Sequence, residues 1–231
     1  MKVPTIFDFN GVLVDDESVH LAAFREVLRP LGVAIDDATY AERYLGFDDA
    51  GAFRAMLTDA GKAPSDEDVA RLIAAKKPVY MELIAGSLVV FEGAPEIVAR
   101  RAQHGPVGIV SGALRDEIEH ALRIMGVRDR IAFIVSAEDT TRCKPDPEGY
   151  ILGARELLAC AVPDQPMKNP VVIEDSVAGI QAAKAAGFLC AAVAHSYPEA
   201  ALKAAGADLI VARIADLTDA LLATLTDEER R

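Results

Sequence analysis

Four segments of this sequence carry polar side chains of the kinds that handle phosphoryl groups. These side chains are Asp8, Ser111, Lys144 and the adjacent pair Glu174 and Asp175. Carboxylates are ligands that Mg²⁺ prefers, and a lysine or a hydroxyl stabilises negative charge on phosphoryl oxygens. If they were gathered in one place, these groups would supply what magnesium-assisted phosphoryl transfer needs.

Each of these residues also has a purely structural interpretation. Asp8 precedes a turn that contains Gly11, and an aspartate there is typical of a turn former. Ser111 and Asp175 are typical helix N-caps, and Lys144 alone is typical of a solvated surface. The chemical interpretation therefore requires a fold that brings the four segments together.

Short apolar runs alternate along the chain with segments of helical periodicity. The apolar runs are Val3–Phe9, Val107–Val110, Ile131–Val135, Pro170–Ile173, Leu189–Ala194 and Leu209–Val211. The helical segments between them are Ala94–Gln103, Leu114–Met125, Pro147–Leu158, Val177–Ala186 and Glu199–Ala205. Left-handed helix ends are predicted at the glycines that follow several helices, Gly105, Gly126, Gly187 and Gly206. The apolar runs lack strict alternation, so they are typical of strands buried on both faces. The pattern predicts an α/β fold with a doubly wound parallel sheet, which binds ligands at the carboxyl ends of its strands.

A block of helical pattern interrupts this alternation after the first strand. Its predicted helices are Glu17–Leu28, Asp37–Leu45, Ala50–Ala60 and Asp66–Ile84. Ser65 and Asp68 resemble a capping box at the start of the last helix. The block predicts an inserted helical domain at residues 16–87, with an α/β core formed by residues 1–15 and 88–231. Apolar residues at helical spacing, Tyr40, Tyr44, Phe53 and Met56, are predicted to form the core of the insertion.

Composition narrows the classes of partner. The chain has 231 residues and a formal net charge of −12, which opposes binding to nucleic acid or to an anionic membrane. The cysteines, Cys143, Cys160 and Cys190, are odd in number and far apart, which is typical of a reducing compartment. No apolar run is long enough to span a bilayer. These features predict a soluble cytoplasmic protein. We expect a monomer or a weak homodimer, although these features do not determine the oligomeric state.

The four motifs, in this order and at strand ends, resemble those of the haloacid dehalogenase-like (HAD) superfamily. The stretch from Asp8 to Asp15 reads D-F-N-G-V-L-V-D, against the family's first motif D-x-D-G-[VT]-[LI]-x-D. Ser111, Lys144 and Glu174 with Asp175 match motifs two, three and four, and the helical block resembles the family's cap. The stretch that begins at Glu174, E-D-S-V-A-G-I-Q-A-A, is similar to that of sugar-phosphate phosphatases and β-phosphoglucomutase-like enzymes.

The resemblance implies a magnesium-dependent phosphomonoester hydrolase that acts on a small phosphorylated metabolite. Asp8 would be the nucleophile and would form an aspartyl-phosphate. Asp8, Asp175 and the backbone carbonyl of Asn10 would hold Mg²⁺, with Glu174 as a ligand directly or through water.

The resemblance also implies substrate-binding residues. Ser111 and nearby amides, including that of Gly112, would hold phosphoryl oxygens, and Lys144 would neutralise their charge. His20 and Lys76 lie where related sugar-phosphate mutases have residues that face the substrate, although the adjacent lysines Lys76 and Lys77 on a helix are typical of a solvated face.

Asp49 bears on the kind of substrate that the resemblance implies. It falls in a segment where those mutases use a basic residue to hold a second phosphate, and here that segment is acidic. The resemblance therefore predicts a singly phosphorylated substrate.

Asn10 is the one departure from the family's first motif. Active family members carry an aspartate there, which protonates the leaving oxygen and later deprotonates water, whereas an amide does not titrate near neutral pH. Three explanations are open: a naturally slow phosphatase that prefers good leaving groups or borrows an acid such as Asp15, Asp16 or His20; an engineered trap; or deamidation at Asn10-Gly11 that partly restores the aspartate.

Other functions stay open beside the phosphatase. A catalytically weakened protein that binds phosphorylated metabolites is one alternative, and a β-phosphoglucomutase-like phosphomutase is another. A dehalogenase proper needs no metal and would leave the acidic pair at Glu174 and Asp175 unexplained.

Overall fold

The computed structural model describes residues 2–86, 88–160 and 167–228. The chain divides into two compact units, which we call the α/β unit (Met1–Val14 and Val90–Arg231) and the helical unit (Asp15–Val89). The sequence pattern predicts an insertion at residues 16–87, and residue 87 lies outside the described residues. The chain passes between the units in two short strands that the pattern does not predict, Val14–Asp15 and Val89–Val90.

Strands and helices alternate through the described part of the α/β unit, whereas the first four α-helices of the chain belong to the helical unit. The elements of both units are numbered together in chain order. In chain order the strands are β1 (Thr5–Phe7), β2 (Val14–Asp15), β3 (Val89–Val90), β4 (Val107–Val110), β5 (Ile131–Val135), β6 (Val171–Glu174), β7 (Leu189–Val193) and β8 (Leu209–Val211). The α-helices are α1 (Glu17–Leu28), α2 (Asp37–Arg43), α3 (Asp49–Asp59), α4 (Asp66–Ile84), α5 (Ala94–His104), α6 (Arg115–Ile124), α7 (Glu148–Ala159), α8 (Val177–Ala185), α9 (Glu199–Ala205) and α10 (Asp219–Glu228). Single 3-10 turns lie at Arg29–Leu31, Arg128–Arg130, Ala137–Asp139 and Ile214–Asp216.

Six of the strands form one parallel sheet in the order β5-β4-β1-β6-β7-β8. The predicted doubly wound α/β fold is confirmed. Phe7 on the central strand β1 pairs in register with Ile109 of β4 and Ile173 of β6. The residues that follow these three strands therefore emerge side by side at one edge of the sheet.

Two local predictions from the sequence are corrected. The predicted strand Val3–Phe9 is reduced to β1, because Pro4 has no amide hydrogen for the ladder and the chain beyond Phe7 enters a turn. Gly105 ends α5 with φ 171°, an extended conformation, whereas Gly126, Gly187 and Gly206 have positive φ as expected. At Gly105 a Cβ would come within 2.9 Å of the Val3 carbonyl oxygen, so close backbone approach is what requires this glycine.

The helical unit has its own apolar core, in which α1 packs against α4 and α3 packs against α4. This core contains the side chains predicted for it, Tyr40, Tyr44, Phe53 and Met56. The predicted capping box is present, since the Asp68 amide donates to Ser65 Oγ and the Ser65 amide donates to the Asp68 carboxylate. Within the described residues, no helix combines the length and apolar character needed to cross a membrane.

Candidate active site

The carboxyl edge of the sheet brings together the polar residues that follow β1, β4 and β6. The Asp8 amide donates to the Ile173 carbonyl oxygen at 2.9 Å, which extends the pairing of β1 with β6 by one residue. The side chains of Asp8, Ser111, Glu174 and Asp175 are all buried there. The register of a parallel sheet thus gathers residues that are more than 160 positions apart in the chain.

Three carboxylates form one acidic cluster at this edge. Asp8, Glu174 and Asp175 each offer an oxygen within 4.8 Å of the others. Burial and the neighbouring Glu174 carboxylate raise the pKa of Asp8 to about 6, against the opposing effect of Lys144. Burial, together with Glu174 and Asp8, also raises the pKa of Asp175 well above its usual range. Because these carboxylates lie close together and the pKa values of Asp8 and Asp175 are raised, a bound cation would stabilise their ionised forms.

Lys144 is the cation inside this cluster. Its Nζ lies 2.9 Å from Asp8 Oδ1 and 2.6 Å from Glu174 Oε1, and it donates to the Val110 carbonyl oxygen at 3.2 Å. Burial opposes the charged amine, but the two carboxylates outweigh it and raise the pKa of Lys144 above its ordinary value. Lys144 is therefore a fixed positive charge beside Asp8, and not the solvated cation of the structural interpretation.

Both carboxylate oxygens of Glu174 accept hydrogen bonds. Its Oε1 accepts from Lys144 and from the Tyr150 hydroxyl at 2.7 Å, and its Oε2 accepts from Ser176 Oγ at 3.0 Å. The backbone amides of Asp175 and Ser176 also donate to Oε2. Burial opposes the charge, but Lys144 and these hydrogen bonds lower the pKa of Glu174 below its usual value. Glu174 is the anionic anchor of Lys144.

The Glu174 side chain requires a glycine at position 179, in the first turn of α8. A Cβ at Gly179 would lie 1.8 Å from a Glu174 carboxylate oxygen, so only glycine leaves room for the side chain. Ser176, whose side chain accepts from the Gly179 amide, is the N-cap of α8. Asp175 is therefore not a helix cap, and its carboxylate is directed to the cluster.

The turn after β1 places Gly11 against the same cluster. Gly11 has φ 72°, in the left-handed region that favours glycine, and a Cβ there would lie 2.0 Å from Asp175 Oδ2. The preceding residue, Asn10, accepts a long hydrogen bond of 3.4 Å from Ser111 Oγ through its side-chain Oδ1. An aspartate at position 10 would place a carboxylate oxygen near the same Ser111 hydroxyl.

Ser111 and Gly112 lie in the turn between β4 and α6. Ser111 Oγ accepts from the Ala113 amide at 3.2 Å, and α6 begins only at Arg115, so Ser111 is not a helix N-cap. Gly112 is exposed. A buried hydroxyl in contact with Asn10, followed by an exposed glycine, suits the binding of phosphoryl oxygens.

The donor set at this edge fits a hard divalent cation. The available ligands are all oxygens, which is the preference of Mg²⁺. Apart from its ion pair with Lys144, Asp8 Oδ1 is a buried atom with no hydrogen-bond partner among the described residues. Among these residues, Asp8, Glu174 and Asp175 are also the one group of His, Cys, Asp and Glu side chains close enough to share an ion.

Two residues of this edge were not predicted from the sequence, His195 and Ser196. Ser196 Oγ donates to Asp175 Oδ2, and His195 Nδ1 lies 2.8 Å from the Gly11 carbonyl oxygen. They follow β7 in the same way that Asp175 follows β6. The end of that apolar run was therefore a signal that could have indicated them.

The helical unit contains a second polar cluster, which is buried around Lys76. Lys76 has no exposed side-chain area, and its Nζ lies 2.5 Å from Asp49 Oδ1 and 2.8 Å from His20 Nδ1. Because a lysine only donates, His20 Nδ1 is the acceptor and the ring proton sits on Nε2, which faces Asp16 Oδ2 at 3.3 Å. Asp16 also accepts from the Tyr80 hydroxyl.

The burial of Lys76 corrects the expectation that the paired lysines lie on a solvated face. Its Nζ also sits over the Phe24 ring at 4.5 Å from the centroid. Asp49 Oδ2 is buried with no hydrogen-bond partner among the described residues, so Lys76 is the main compensation for the Asp49 charge. The cation that sequence reasoning assigned to substrate is paired inside the helical unit.

We expect Asp49→Ala to lower the free energy of unfolding by about 3–5 kcal/mol, because it leaves the buried Lys76 charge without its anion. Denaturant unfolding measures the effect. The control is Asp37→Ala, whose partner Arg25 is a surface residue and whose own side chain is 85% exposed; it should cost about 1 kcal/mol or less. The double variant Asp49→Leu with Lys76→Met should recover most of the loss. Equal costs for the two single variants would contradict the buried pair.

Comparisons with known proteins found a matching family, similar sequences and similar folds. A model of the haloacid dehalogenase-like hydrolase family matches residues 5–187. Validoxylamine A 7'-phosphate phosphatase of Streptomyces hygroscopicus subsp. limoneus is 30% identical, over 93% of this chain and 93% of its own length. A solved β-phosphoglucomutase from Clostridium difficile shares the fold with a TM-score of 0.84 at 24% identity, over 100% of this chain and 99% of that one. CbbY of Rhodobacter sphaeroides, solved as an Asp-to-Asn mutant with xylulose-(1,5)bisphosphate, gives a TM-score of 0.78 at 26% identity, over 94% and 96%.

Proposed function

The chain belongs to the haloacid dehalogenase-like hydrolase family, and we propose that it is a magnesium-dependent phosphatase of a small phosphorylated metabolite. The observation that carries the proposal is the buried Asp8 carboxylate, paired with Lys144 at 2.9 Å and set within 4.8 Å of two further carboxylates. The similarity to validoxylamine A 7'-phosphate phosphatase, which extends over nearly the whole length of that protein, supports it.

Asp8 is the proposed nucleophile. One of its oxygens forms a bond to phosphorus while the bond from phosphorus to the ester oxygen breaks, which leaves an aspartyl-phosphate and an alkoxide that needs a proton. Water then attacks phosphorus and regenerates the Asp8 carboxylate. Lys144 and Ser111 stabilise the phosphoryl oxygens through both steps.

Asp8, Asp175 and the backbone carbonyl of Asn10 are the proposed magnesium ligands, with Glu174 in the same cluster. When bound there, Mg²⁺ would neutralise the carboxylates and the phosphoryl oxygens. Because Glu174 already accepts from five donors, its further task is to hold Lys144 in place.

Asn10 makes the proposed enzyme slow. The leaving alkoxide needs a proton and the attacking water must lose one, and an amide can supply neither transfer. We therefore propose that the protein favours esters with good leaving groups, which depart without prior protonation.

We propose that the helical unit is the cap domain that the family resemblance implies. The family resemblance assigns both His20 and Lys76 to the substrate, but because the Lys76 side chain is fully buried we propose only His20 as a substrate-binding residue. Lys76 is already neutralised by Asp49, so the cap offers little net positive charge to a second phosphate. This favours a singly phosphorylated substrate over the bisphosphate that a phosphomutase needs.

A panel of phosphate monoesters and sugar phosphates, assayed with Mg²⁺ and with a chelator, tests the proposed function. We expect release of inorganic phosphate that needs Mg²⁺ and is fastest for aryl phosphates. Tight binding without turnover would favour the phosphometabolite-binding alternative. Halide release without metal would contradict the assignment.

We expect Mg²⁺ to raise the melting temperature by about 5–10 °C at about a hundredfold excess over its dissociation constant. The rise should be larger well above pH 6 than well below it, because the Asp8 pKa of about 6 exceeds the unfolded value. The metal-free fold therefore retains a proton on Asp8 at low pH and loses this stabilisation as pH rises through 6. Mg²⁺ competes with that proton.

The control for this melting experiment is Asp175→Asn, which keeps the side-chain shape but removes the negative charge of a proposed ligand. It should lose most of the magnesium-dependent rise. An undiminished rise in Asp175→Asn would show that Mg²⁺ binds elsewhere.

A further inference from the structure

The turn after β7 contacts the Asp175 carboxylate and the turn at Gly11, which both belong to the proposed metal site. Ser196 Oγ donates a hydrogen bond to Asp175 Oδ2. The same hydroxyl lies 2.9 Å from the position that a Cβ of Gly11 would occupy, so it also packs against the turn after β1. One half-buried serine thus contacts the carboxylate and the backbone loop that flanks it.

His195 fixes the same loop through its ring. A carbonyl oxygen only accepts, so the proton sits on His195 Nδ1, which donates to the Gly11 carbonyl oxygen at 2.8 Å. The other ring nitrogen, Nε2, accepts from the Ile214 amide at 3.3 Å. The ring also stacks on Phe91 with 4.0 Å between centroids. With both nitrogens used and one face covered, the His195 ring has one orientation and one tautomer.

The geometry limits what Asp175 can do. Its Oδ2 is in contact with Gly11 and accepts from Ser196, so that oxygen is held in one place. A carboxylate whose one oxygen is fixed by a hydrogen bond presents the other in a defined direction. Hydrogen bonds of this kind to metal-binding carboxylates typically contribute 10–100-fold to metal affinity.

We propose that Ser196 is a positioning residue for the metal site: its hydroxyl orients the Asp175 carboxylate, while His195 braces the turn that carries Asn10 and Gly11. The proposal rests on the metal role that the proposed function gives to Asp175. Ser196 itself touches neither substrate nor the reacting atoms.

Mn²⁺ titration of the full chain, followed by electron paramagnetic resonance, tests the proposal. We expect Ser196→Ala to weaken Mn²⁺ binding by about tenfold, and Ser196→Thr, which keeps the hydroxyl, to stay close to the wild type. The matched control is Ser136→Ala, because Ser136 Oγ also donates to an aspartate, Asp139, at 2.7 Å but lies outside the acidic cluster. It should leave Mn²⁺ affinity unchanged.

A second readout separates positioning from folding. Saturating Mg²⁺ should restore kcat in Ser196→Ala. The variant should differ from the wild type in needing a higher concentration of Mg²⁺ for half-maximal activity. Melting of the metal-free variants establishes that they are folded. Equal Mn²⁺ affinity in Ser196→Ala and the wild type, or an equal loss in Ser136→Ala, would overturn the proposal. If the wild type binds no Mn²⁺, the proposed function fails and the role of Ser196 falls with it.

Discussion

We expect the Asn10→Asp variant to hydrolyse aryl phosphates about 10²–10⁴ times faster than the wild-type chain, since that is the usual contribution of a positioned acid–base group. The carboxylate would stand where the Asn10 amide now accepts from Ser111. It would protonate the leaving oxygen and then deprotonate the attacking water. Steady-state release of inorganic phosphate at saturating Mg²⁺ measures the gain.

The gain should depend on the leaving group. A poor leaving group needs the proton most, so alkyl and sugar phosphates should gain more than activated aryl phosphates. Asn169→Asp is the matched control, because this exposed asparagine precedes β6 at the opposite edge of the sheet. Peptide mass spectrometry of each sample must show that Asn10 has not deamidated. Equal rates for the wild type and Asn10→Asp would contradict the missing proton donor.

We expect Asp8→Asn to lower turnover by about 10⁴-fold or more, to the background of the assay, because it removes the only proposed nucleophile. An amide oxygen does not form the aspartyl-phosphate. Phosphate release with an activated aryl phosphate measures the loss under the same conditions.

The loss in Asp8→Asn should not come from unfolding. Lys144 keeps Glu174 as its partner at 2.6 Å, and the variant loses a carboxylate whose pKa burial has raised to about 6. The melting temperature of the metal-free protein should therefore be retained. Asp129→Asn, an exposed change in the turn before β5, should keep full activity. Substantial turnover by a folded Asp8→Asn variant would rule out Asp8 as the nucleophile.

The sequence predicted the α/β sheet, and the edge at which its polar residues meet, because both depend on short-range pattern. Runs such as Val107–Val110 are apolar on both faces, which is sufficient to indicate a buried parallel strand. Residues that follow such strands share one edge, which is how Asp8, Ser111 and Glu174 could be placed together. The short strands β2 and β3 lack such a pattern, since each has only two residues.

What the sequence could not predict depends on partners far apart in the chain. Lys76 appears solvated until Asp49, 27 residues earlier, is seen to neutralise it. Ser196 donates to Asp175 across 21 residues, and its place after β7 indicates the edge of the sheet but not this partner. Glu174 was expected mainly as a metal ligand, but its position beside Tyr150 and Lys144 also makes it an anchor. Pairwise electrostatics of this kind is fixed by tertiary packing and has no local signature.

Intact and peptide mass spectrometry after incubation with acetyl phosphate and Mg²⁺ is the most direct test of whether Asp8 carries the phosphoryl group. Acetate leaves without prior protonation, so Asn10 does not prevent formation of the aspartyl-phosphate. Hydrolysis of the aspartyl-phosphate still needs a base, which Asn10 does not supply. We predict that the wild-type chain accumulates one phosphoryl group on the peptide that contains Asp8, and that Asn10→Asp accumulates less. A phosphoryl group on another residue, or none on a folded protein that hydrolyses phosphate esters, would contradict the account.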